Sequence, residues 1–358
     1  MPGDAGQCGI TEVRCGLGMC PAAGYGEHAT RTCPSASKQL RVVSWVRSSR
    51  SVASAWRRRS TASCCARRVS SVGTRSSLPD PRGWRRLAAA AEFARRRLAG
   101  DFEVDEYGFD PDLNSALLMP AALALYRNWF RVQARGLANI PDTGAALIVA
   151  NHSGVLPLDA IMLQVGIFAD HPAKRNLRLL GADLVYTMPV LSSLARRSGH
   201  TRADPGQAHR MLVGGEIVGV FPEGFKGIGK PFSERYRLQR FGRGGFARAA
   251  LRAGVPIIPC AIVGAEEIYP MLGNSAALAD ALGLPYFPLT PLFPWLGPLG
   301  AVPLPSKWII EFCEPIAACD EPIAEPDEDL VARLADAVRD TIQLKLDDLV
   351  AARGPAFG

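Results

Sequence analysis

Cysteine and long apolar runs are scarce in most of this 358-residue chain, and each scarcity excludes a class of protein. Only three of the nine cysteines lie beyond residue 65, which fits a reduced, cytosolic body, and none has the paired Cys-x-x-Cys spacing of a zinc site. The apolar stretch over residues 113–130 contains Pro120 and falls short of the ~20 apolar residues that span a bilayer. The Gly-x-Ser-x-Gly turn of many hydrolases is absent, which disfavours a hydrolase.

Acidic residues are scarce at the start of the chain. Residues 1–85 hold 14 Lys and Arg but only 4 Asp and Glu, a net +10, whereas the remainder is net −3. The overall +7 therefore describes neither part and gives no evidence for nucleic-acid binding. Because residues 1–85 are rich in Arg, Ser and Cys and lack apolar periodicity, we expect this segment to be disordered. A transit-type targeting peptide, or a stretch upstream of the true start of translation, is the alternative interpretation.

The rest of the sequence is organised around residues 145–160. The apolar run 145–150 is too short for a helix core and stops at Asn151-His152, which predicts a buried strand with a histidine at its end. In α/β folds, functional groups collect at such strand ends. Asp159 opens the next apolar segment, so a possible base and a carboxylate share one short connection. The alternative to a catalytic role is that His152 only hydrogen-bonds to backbone and that Asp159 only caps the following helix.

Strands and helices alternate after this stretch. The predicted strands cover residues 177–181, 217–221, 257–263 and 308–312. The predicted helices cover residues 113–130, 189–197, 205–212 and 245–253, with one helix before them from about Trp84 and a last one from Pro326 to Arg353. This alternation predicts an α/β fold, a mixed β-sheet flanked by helices, with N-terminal helices and a closing C-terminal helix.

Residues 218–230 form a second connection from a strand into a loop that carries polar groups. Glu223, Gly224, Lys226 and Lys230 follow the predicted strand, so a carboxylate, backbone N–H groups and two cations reach the sheet edge of His152, where they can cradle a phosphate. The spacing also fits the Gly-x4-Gly-Lys loop of nucleotide-binding proteins. Proline follows the second lysine, where that loop needs a Ser or Thr for Mg²⁺, and this argues against an NTPase.

Two arginines just before a predicted helix start add to this positive charge. Arg240 and Arg243 lie among glycines ahead of residue 245, and guanidinium forks and helix N-termini both favour phosphate. Surface pairing of the arginines with Glu216 or Glu234 is the alternative.

Together these motifs carry a family resemblance. Asn151-His152 with Asp159, then the sequence Phe-Pro-Glu-Gly at 221–224, then Val-Pro-Ile-Ile-Pro at 255–259, resemble in order and type the glycerolipid acyltransferases that acylate glycerol-phosphate and lysophosphatidate. The resemblance covers about residues 113–313 and implies one acyltransferase domain over 86–358. It implies that His152 is the general base on an acceptor hydroxyl, that Asp159 orients it, and that acyl-CoA or an acylated acyl carrier protein is the donor. It implies no metal or other cofactor.

Three departures mark a divergent branch of that family. Six residues separate His152 from Asp159 where the family has four, and Lys226 follows a phenylalanine where the family has Thr-Arg. The family's Ile-Asp-Arg motif is represented only by a threonine and Arg202. The resemblance implies that Glu223 and the basic residues bind a phosphorylated acceptor such as a lysophospholipid or glycerol-phosphate derivative. The departures leave a neutral mono- or diacylglycerol acceptor open, and lipid binding without catalysis is a further alternative.

A proline-rich segment fits a lipid substrate without any family argument. Residues 282–308 contain seven prolines and many apolar residues, which excludes a regular helix and disfavours a free loop. Phe287, Phe293 and Trp295 are predicted to enter the lipid headgroup region or to line an acyl groove, and packing on the sheet is the alternative. We therefore expect a cytoplasmic protein, peripheral on the inner face of the membrane, whose partners are membrane lipid and an acyl thioester.

Overall fold

The structure, a computed structural model, describes residues 81–153, 156–187, 189–283, 287–319 and 321–357. The expectation of disorder for the head of the chain therefore lies, up to residue 80, outside the described residues. The first helix begins at Pro81, three residues before the tryptophan from which the sequence predicts ordered structure.

Nine strands occur in the described part of the chain. They are β1 (Gln133–Arg135), β2 (Ala146–Ala150), β3 (Leu177–Gly181), β4 (His200–Arg202), β5 (Ile217–Val220), β6 (Ile257–Val263), β7 (Gly273–Asn274), β8 (Pro288–Leu289) and β9 (Ile309–Phe312). Seven of them form a mixed sheet in the order β1-β9-β6-β2-β5-β3-β4, and β7 pairs with β8 separately. Neighbours in the large sheet are parallel except β6 and β9.

Helices cover both faces of this sheet. They are α1 (Pro81–Leu98), α2 (Pro111–Leu113), α3 (Met119–Ala124), α4 (Leu158–Asp170), α5 (Asp183–Thr187), α6 (Pro189–Arg197), α7 (Pro205–Val213), α8 (Phe225–Ile228), α9 (Gly245–Ala253), α10 (Ala276–Leu282) and α11 (Glu328–Arg353). The predicted class, a mixed sheet flanked by helices, is confirmed. The strands predicted at 177–181 and 257–263 and the helices predicted at 189–197 and 245–253 have the observed bounds.

The central strand β2 explains the continuous apolar run of the sequence, because it is buried on both faces. Leu147 and Val149 belong to one core cluster, which contains residues of α7, α9 and α11. Ile148 and Ala150 belong to the other, which contains residues of α4. From Ala89 onward the chain forms one unit, and the candidate site lies within it.

Four short strands escape prediction from the sequence: β7 and β8, of two residues each, and β1 and β4 in the large sheet. The strands β1 and β4 have three residues each, and neither contains an apolar run. They are strands only because they pair with β9 and β3 at the two edges of the sheet.

The predicted helix over residues 113–130 is a helical run with two wider turns. Asn114–Leu118 and Leu125–Trp129 are π-helical, on either side of α3. Pro120 has no N–H to give to the preceding turn, and the first wide turn, closed by the Met119 N–H on the Asn114 carbonyl, accommodates it without breaking the helix. None of the described helices is long and apolar enough to cross a bilayer.

The C-terminal helix offers a direct test of the packing. Ile342 of α11 is fully buried against the sheet, whereas Leu344 on the same helix is 66% exposed. We expect Ile342→Ala to lower the free energy of unfolding by about 2–5 kcal/mol, since it removes buried methyl groups and leaves a cavity. Urea unfolding measures this, with Leu344→Ala as the matched control. Equal losses for the two variants would contradict the packing of α11 on the sheet.

Candidate active site

His152 lies two residues past the end of β2, at the carboxyl edge of the sheet. Its Nδ1 is 2.7 Å from Oδ2 of Asp159, which occupies the first turn of α4. The Asp159 carboxylate also accepts the backbone N–H groups of Ser153, at 2.9 Å, and Ala160, at 2.8 Å. The imidazole and the carboxylate are therefore in direct contact, and the carboxylate binds free backbone N–H groups as well, so the two sequence interpretations of Asp159 describe one arrangement.

The electrostatics of this pair favour a base with one available nitrogen. Burial lowers the pKa of His152, but the charge and hydrogen bond of Asp159 outweigh it, so the pKa lies above the ordinary 6.5. An ionised Asp159 keeps the ring proton on Nδ1 and leaves the lone pair on Nε2. Within the described residues no group bonds Nε2, and the His152 side chain is 16% exposed. A hydroxyl that reaches this ring can therefore give up its proton there.

Side chains hold the end of β2 in place after its backbone has left the sheet. Asn151 donates from Nδ2 to the Ile262 carbonyl at 3.0 Å and accepts the Ile262 N–H at 2.7 Å, which extends the pairing with β6. On the other side, the backbone N–H of His152 donates to Oε1 of Glu223 at 3.0 Å. The Phe221 ring lies against the imidazole, with 4.7 Å between centroids. The ring of His152 is thus oriented by both strands that neighbour β2.

Gly227, which sequence reasoning missed, allows this close packing. A Cβ at this position would lie 2.7 Å from the Cβ of Glu223 and 3.0 Å from the carbonyl oxygen of His152. Any larger residue would displace one of these two groups, so the position requires glycine. The recurrence of glycine in residues 224–229 was the available signal in the sequence.

The structure places Glu223 in a role different from the predicted one. Its side chain has no exposed surface, and it accepts the N–H of His152 on Oε1 and the N–H of Gln239 on Oε2, at 2.8 Å. Because both oxygens already bind backbone donors, the carboxylate is not available to an acceptor head group. The prediction that Glu223 binds substrate is corrected: it positions backbone.

Lys230 is likewise an internal residue. Its side chain is 2% exposed, and its ammonium donates to Oε1 of Glu266 at 3.0 Å and to the Arg237 carbonyl at 3.1 Å, with Oε2 of Glu223 at 3.8 Å. Burial, partly offset by Lys230, raises the pKa of Glu266 to about 7. The predicted contact of Lys230 with substrate is therefore also corrected, since its charge balances two buried carboxylates.

Arg202 lies at the same edge of the sheet but far from the pair. It ends β4, which is separated from β2 by β5 and β3. Its guanidinium forms a surface ion pair with Asp183 at 3.1 Å, a type of contact worth about 0–1 kcal/mol. The resemblance-based role of Arg202 in phosphate binding is not supported by this position.

Three of the predicted cations are exposed. Lys226, Arg240 and Arg243 are exposed, and none forms an ion pair or side-chain hydrogen bond within the described part of the chain. Arg240 directly follows Gln239, whose N–H shares the Glu223 carboxylate with the N–H of His152. Lys226 and Arg240 therefore belong to backbone segments that contact the segment of His152, and all three cations are exposed to solvent.

The backbone N–H groups of Gly224 and Ser153, which are suitably placed at this edge to bind an anion or an oxyanion, have internal partners. The Gly224 N–H donates to the Phe221 carbonyl at 3.1 Å, and the Ser153 N–H donates to Asp159. Residues 154 and 155 lie outside the described residues. No group of three or more His, Cys, Asp or Glu side chains with metal-binding proximity occurs in the described part of the chain.

Comparisons with known proteins agree with this geometry. A family model described as Acyltransferase matches residues 131–263, from the segment that contains β1 to the end of β6. An uncharacterized protein of Mycobacterium tuberculosis is 54% identical over 293 residues, which cover 81% of this chain and 82% of that protein. The chain belongs to one family with this mycobacterial protein, and its residues 131–263 form an acyltransferase domain. A Mycobacterium leprae relative is 53% identical over 272 residues, 76% of this chain and 74% of that protein.

Two further similarities are more distant. A human protein named DGAT1/2-independent enzyme synthesizing storage lipids is 27% identical over 169 residues, 46% of this chain and 51% of that protein. The crystal structure of the 1-acyl-sn-glycerophosphate (LPA) acyltransferase PlsC from Thermotoga maritima is similar at 19% identity with a TM-score of 0.43, covering 65% of this chain and 80% of that one.

The pH dependence of acyl transfer tests the histidine–aspartate pair. A general base must be neutral, so we expect kcat/KM of the acyltransferase to rise with pH through the His152 pKa, above 6.5. In Asp159→Asn the negative charge that raises the pKa of His152 is lost, while the burial that lowers this pKa remains. The rise of kcat/KM should therefore move to lower pH. Turnover should fall by roughly 10²- to 10⁴-fold, because the carboxylate no longer holds the ring proton on Nδ1 or stabilises the imidazolium.

Asparagine at position 159 keeps an oxygen that accepts backbone N–H bonds, so a purely capping residue would tolerate the change. Unaltered turnover and an unaltered pH profile in Asp159→Asn would therefore exclude the aspartate from the reaction. Circular dichroism and melting temperature check that the variant folds.

A second prediction separates positioning by Glu223 from substrate binding. In Glu223→Gln one backbone N–H faces an amide NH2 instead of an oxygen, which costs about 1–3 kcal/mol of stability. We expect a lower melting temperature and a reduced kcat, with KM for the acceptor changed by less than about twofold. The contrasting variant is Lys226→Gln, which should raise KM for an anionic acceptor and leave melting unchanged. A raised KM with normal kcat and melting in Glu223→Gln would restore its substrate-binding role.

Proposed function

We propose that this acyltransferase moves a fatty acyl group from acyl-CoA or an acylated acyl carrier protein to a hydroxyl of a lysophospholipid or glycerol-phosphate derivative. The observation that carries the proposal is the 2.7 Å contact between His152 Nδ1 and Asp159, at the carboxyl edge of the sheet, where the His152 side chain is 16% exposed. An alcohol is far too weak an acid to ionise unaided at neutral pH, and imidazole is a base suited to that range.

The reaction proceeds by proton transfer at one ring nitrogen. As the acceptor oxygen attacks the thioester carbonyl carbon, its proton moves to Nε2 of His152, and the imidazolium is stabilised by Asp159. The tetrahedral intermediate then collapses with cleavage of the C–S bond. The leaving thiolate takes the proton back from His152, which regenerates the neutral base and yields an ester and a free thiol.

The charges around the pair support an anionic acceptor. Lys226, Arg240 and Arg243 are exposed and have no internal partner within the described residues, and the residue before Arg240, Gln239, shares the Glu223 carboxylate with His152. Guanidinium groups bind phosphate oxygens in a bidentate manner, and lysine adds a point charge. A phosphate on the acceptor would place its neighbouring hydroxyls within the same region as His152.

A neutral mono- or diacylglycerol is the second candidate acceptor, and specific observations favour it. Two of the predicted phosphate ligands do not face the pair: Lys230 is buried among carboxylates, and Arg202 lies at the outer strand β4. The similar human protein is named as synthesizing storage lipids. A substrate comparison decides between the two acceptors.

The test is an assay of the purified chain with labelled acyl-CoA or acylated acyl carrier protein and a panel of acceptors. The panel contains glycerol-phosphate, lysophosphatidate, other lysophospholipids, monoacylglycerol and diacylglycerol. We expect labelled phospholipid as the main product, and we expect His152→Ala to reduce its formation by roughly 10²- to 10⁴-fold with normal melting. Absence of turnover with every acceptor in the presence of lipid binding would support a non-catalytic lipid-binding protein instead.

The exposed cations supply the control for acceptor charge. For Arg240→Gln and Arg243→Gln we expect KM for an anionic acceptor to rise roughly tenfold, equivalent to about 1.4 kcal/mol, with no change for a neutral acceptor. Arg202→Gln, an exposed cation three strands from β2, is the matched variant that should leave both unchanged. Preference for diacylglycerol, insensitive to Arg240 and Arg243, would favour the neutral acceptor.

A further inference from the structure

The longest charge-free stretch of the chain contains an exposed apolar loop. Residues 281–306, 26 residues between Asp280 and Lys307, contain no Asp, Glu, Lys or Arg. Within it, residues 291–302, named here the apolar loop, follow β8 and include the 3-10 turn Gly297–Ala301. Soluble surfaces rarely present so many apolar residues without a charge among them.

Hydrogen bonds to the body fasten the C-terminal end of this loop, and a local hydrogen bond closes its start. Thr290 Oγ1 accepts the Phe293 N–H at 2.8 Å at the start of the loop. The Tyr269 hydroxyl donates to the Ala301 carbonyl at 2.6 Å, and the Trp129 indole donates to the Pro303 carbonyl at 3.0 Å. The Leu304 N–H donates to the Ile268 carbonyl at 3.0 Å. The backbone is thus held in a defined shape, so its apolar side chains are presented to solvent by a fixed scaffold.

The exposed side chains of the apolar loop point away from the body. Trp295 is 74% exposed, Leu299 69%, Leu296 52% and Val302 47%. Phe293, by contrast, is half-buried and lies against Phe287 with 5.4 Å between ring centroids. Of the three aromatic residues predicted to meet lipid, Trp295 is therefore exposed, whereas Phe287 and Phe293 pack on each other.

Hydrogen bonds connect the apolar loop to the segments that follow Lys230 and β6. The Phe232 N–H, two residues after Lys230, donates to the Met271 carbonyl at 2.8 Å, and the Leu272 N–H donates to the Leu289 carbonyl at 2.8 Å. The Leu272 side chain between them is 69% exposed. At the far end, Ser306 Oγ donates at 2.8 Å to the carbonyl of Gly264, which follows β6, the neighbour of β2. The loop therefore lies at the carboxyl edge of the sheet, as His152 does.

The charges at this edge fit a negatively charged bilayer. Lys226, Arg240 and Arg243 are exposed without internal partners, and the apolar loop itself adds no acidic residue. Tryptophan favours the headgroup region of a membrane, and cations nearby are attracted to anionic headgroups. Arg131 donates to the Pro305 carbonyl at 2.9 Å just after the loop, so positive charge lies next to the apolar side chains. An apolar insertion with adjacent positive charge matches a lipid surface better than the surface of a second copy of this chain.

We propose that the apolar loop docks this protein on an anionic lipid bilayer by inserting Trp295, Leu296 and Leu299 at headgroup depth. The inference rests on the proposed function, because a lipid acceptor in the bilayer would then approach His152 from the same edge. Docking at this loop shortens the path of the acceptor out of the membrane.

Flotation with vesicles of equal parts phosphatidylcholine and phosphatidylglycerol tests the proposal on the full chain. We expect the triple variant Trp295→Ser, Leu296→Ser, Leu299→Ser to lower the vesicle-bound to free ratio by roughly tenfold or more, since it removes the inserted apolar area. The matched control is Val213→Ser with Leu344→Ser, two side chains that are each 66% exposed on α7 and α11 and that should leave binding unchanged.

Activity assays separate this inference from the proposed function. The triple variant should lose transfer to vesicle-borne acceptor and keep, within about twofold, transfer to a short-chain acceptor that is monomeric in water. Equal flotation of the wild type and the triple variant would overturn docking by the apolar loop. Loss of flotation with unchanged transfer to vesicle-borne acceptor would overturn the role of this docking in acceptor access. A change from dimer to monomer in ultracentrifugation with unchanged flotation would identify a second copy as the occupant. A wild type that floats but never transfers acyl groups would refute the proposed function and leave the docking intact.

Discussion

The buried carboxylate of Glu223 connects the parts of the site. One oxygen accepts the His152 N–H and the other accepts the Gln239 N–H, so the end of β2 and the arginine-bearing segment have a fixed relative position. A carboxylate without exposed surface loses its hydration, and here the two N–H donors and the Lys230 ammonium, 3.8 Å away, compensate for that loss. The orientation of the histidine and the place of Arg240 therefore depend on the same side chain.

The surroundings of this carboxylate extend the dependence to the end of the chain. The ammonium of Lys230 faces two carboxylates, those of Glu223 and Glu266. Because burial raises the pKa of Glu266 to about 7, this residue is partly protonated near neutral pH, and less negative charge has to be balanced. The amide of Gln343 in α11 accepts the Leu238 N–H and donates to the Tyr236 carbonyl, each at 2.9 Å. The C-terminal helix, beyond the residues of the family-model match, thus supports the segment that carries Arg240.

What the sequence could predict follows from which interactions are local. The strand β2 and the place of His152 were predictable because burial on both faces requires a continuous apolar run. The contact with Asp159 was expected only from the family resemblance, since six intervening residues allow many loop paths and the start of α4 decides among them. The direction of Glu223 and Lys230 was equally hidden, because a charged residue after a strand can face solvent or the interior, and only partners distant in the chain determine which.

The charged residues of the motifs at the carboxyl edge of the sheet therefore fall into two groups, according to their burial and pairing. Glu223 and Lys230 have internal partners and set the geometry, whereas Lys226, Arg240 and Arg243 have none within the described residues and are exposed to solvent. This grouping also bears on selectivity. Lysine offers a point charge and arginine a planar fork, so an anionic head group beside Lys226 would be attracted without being oriented. Orientation of such a head group would depend on the two arginines, whose position in turn depends on the buried carboxylate.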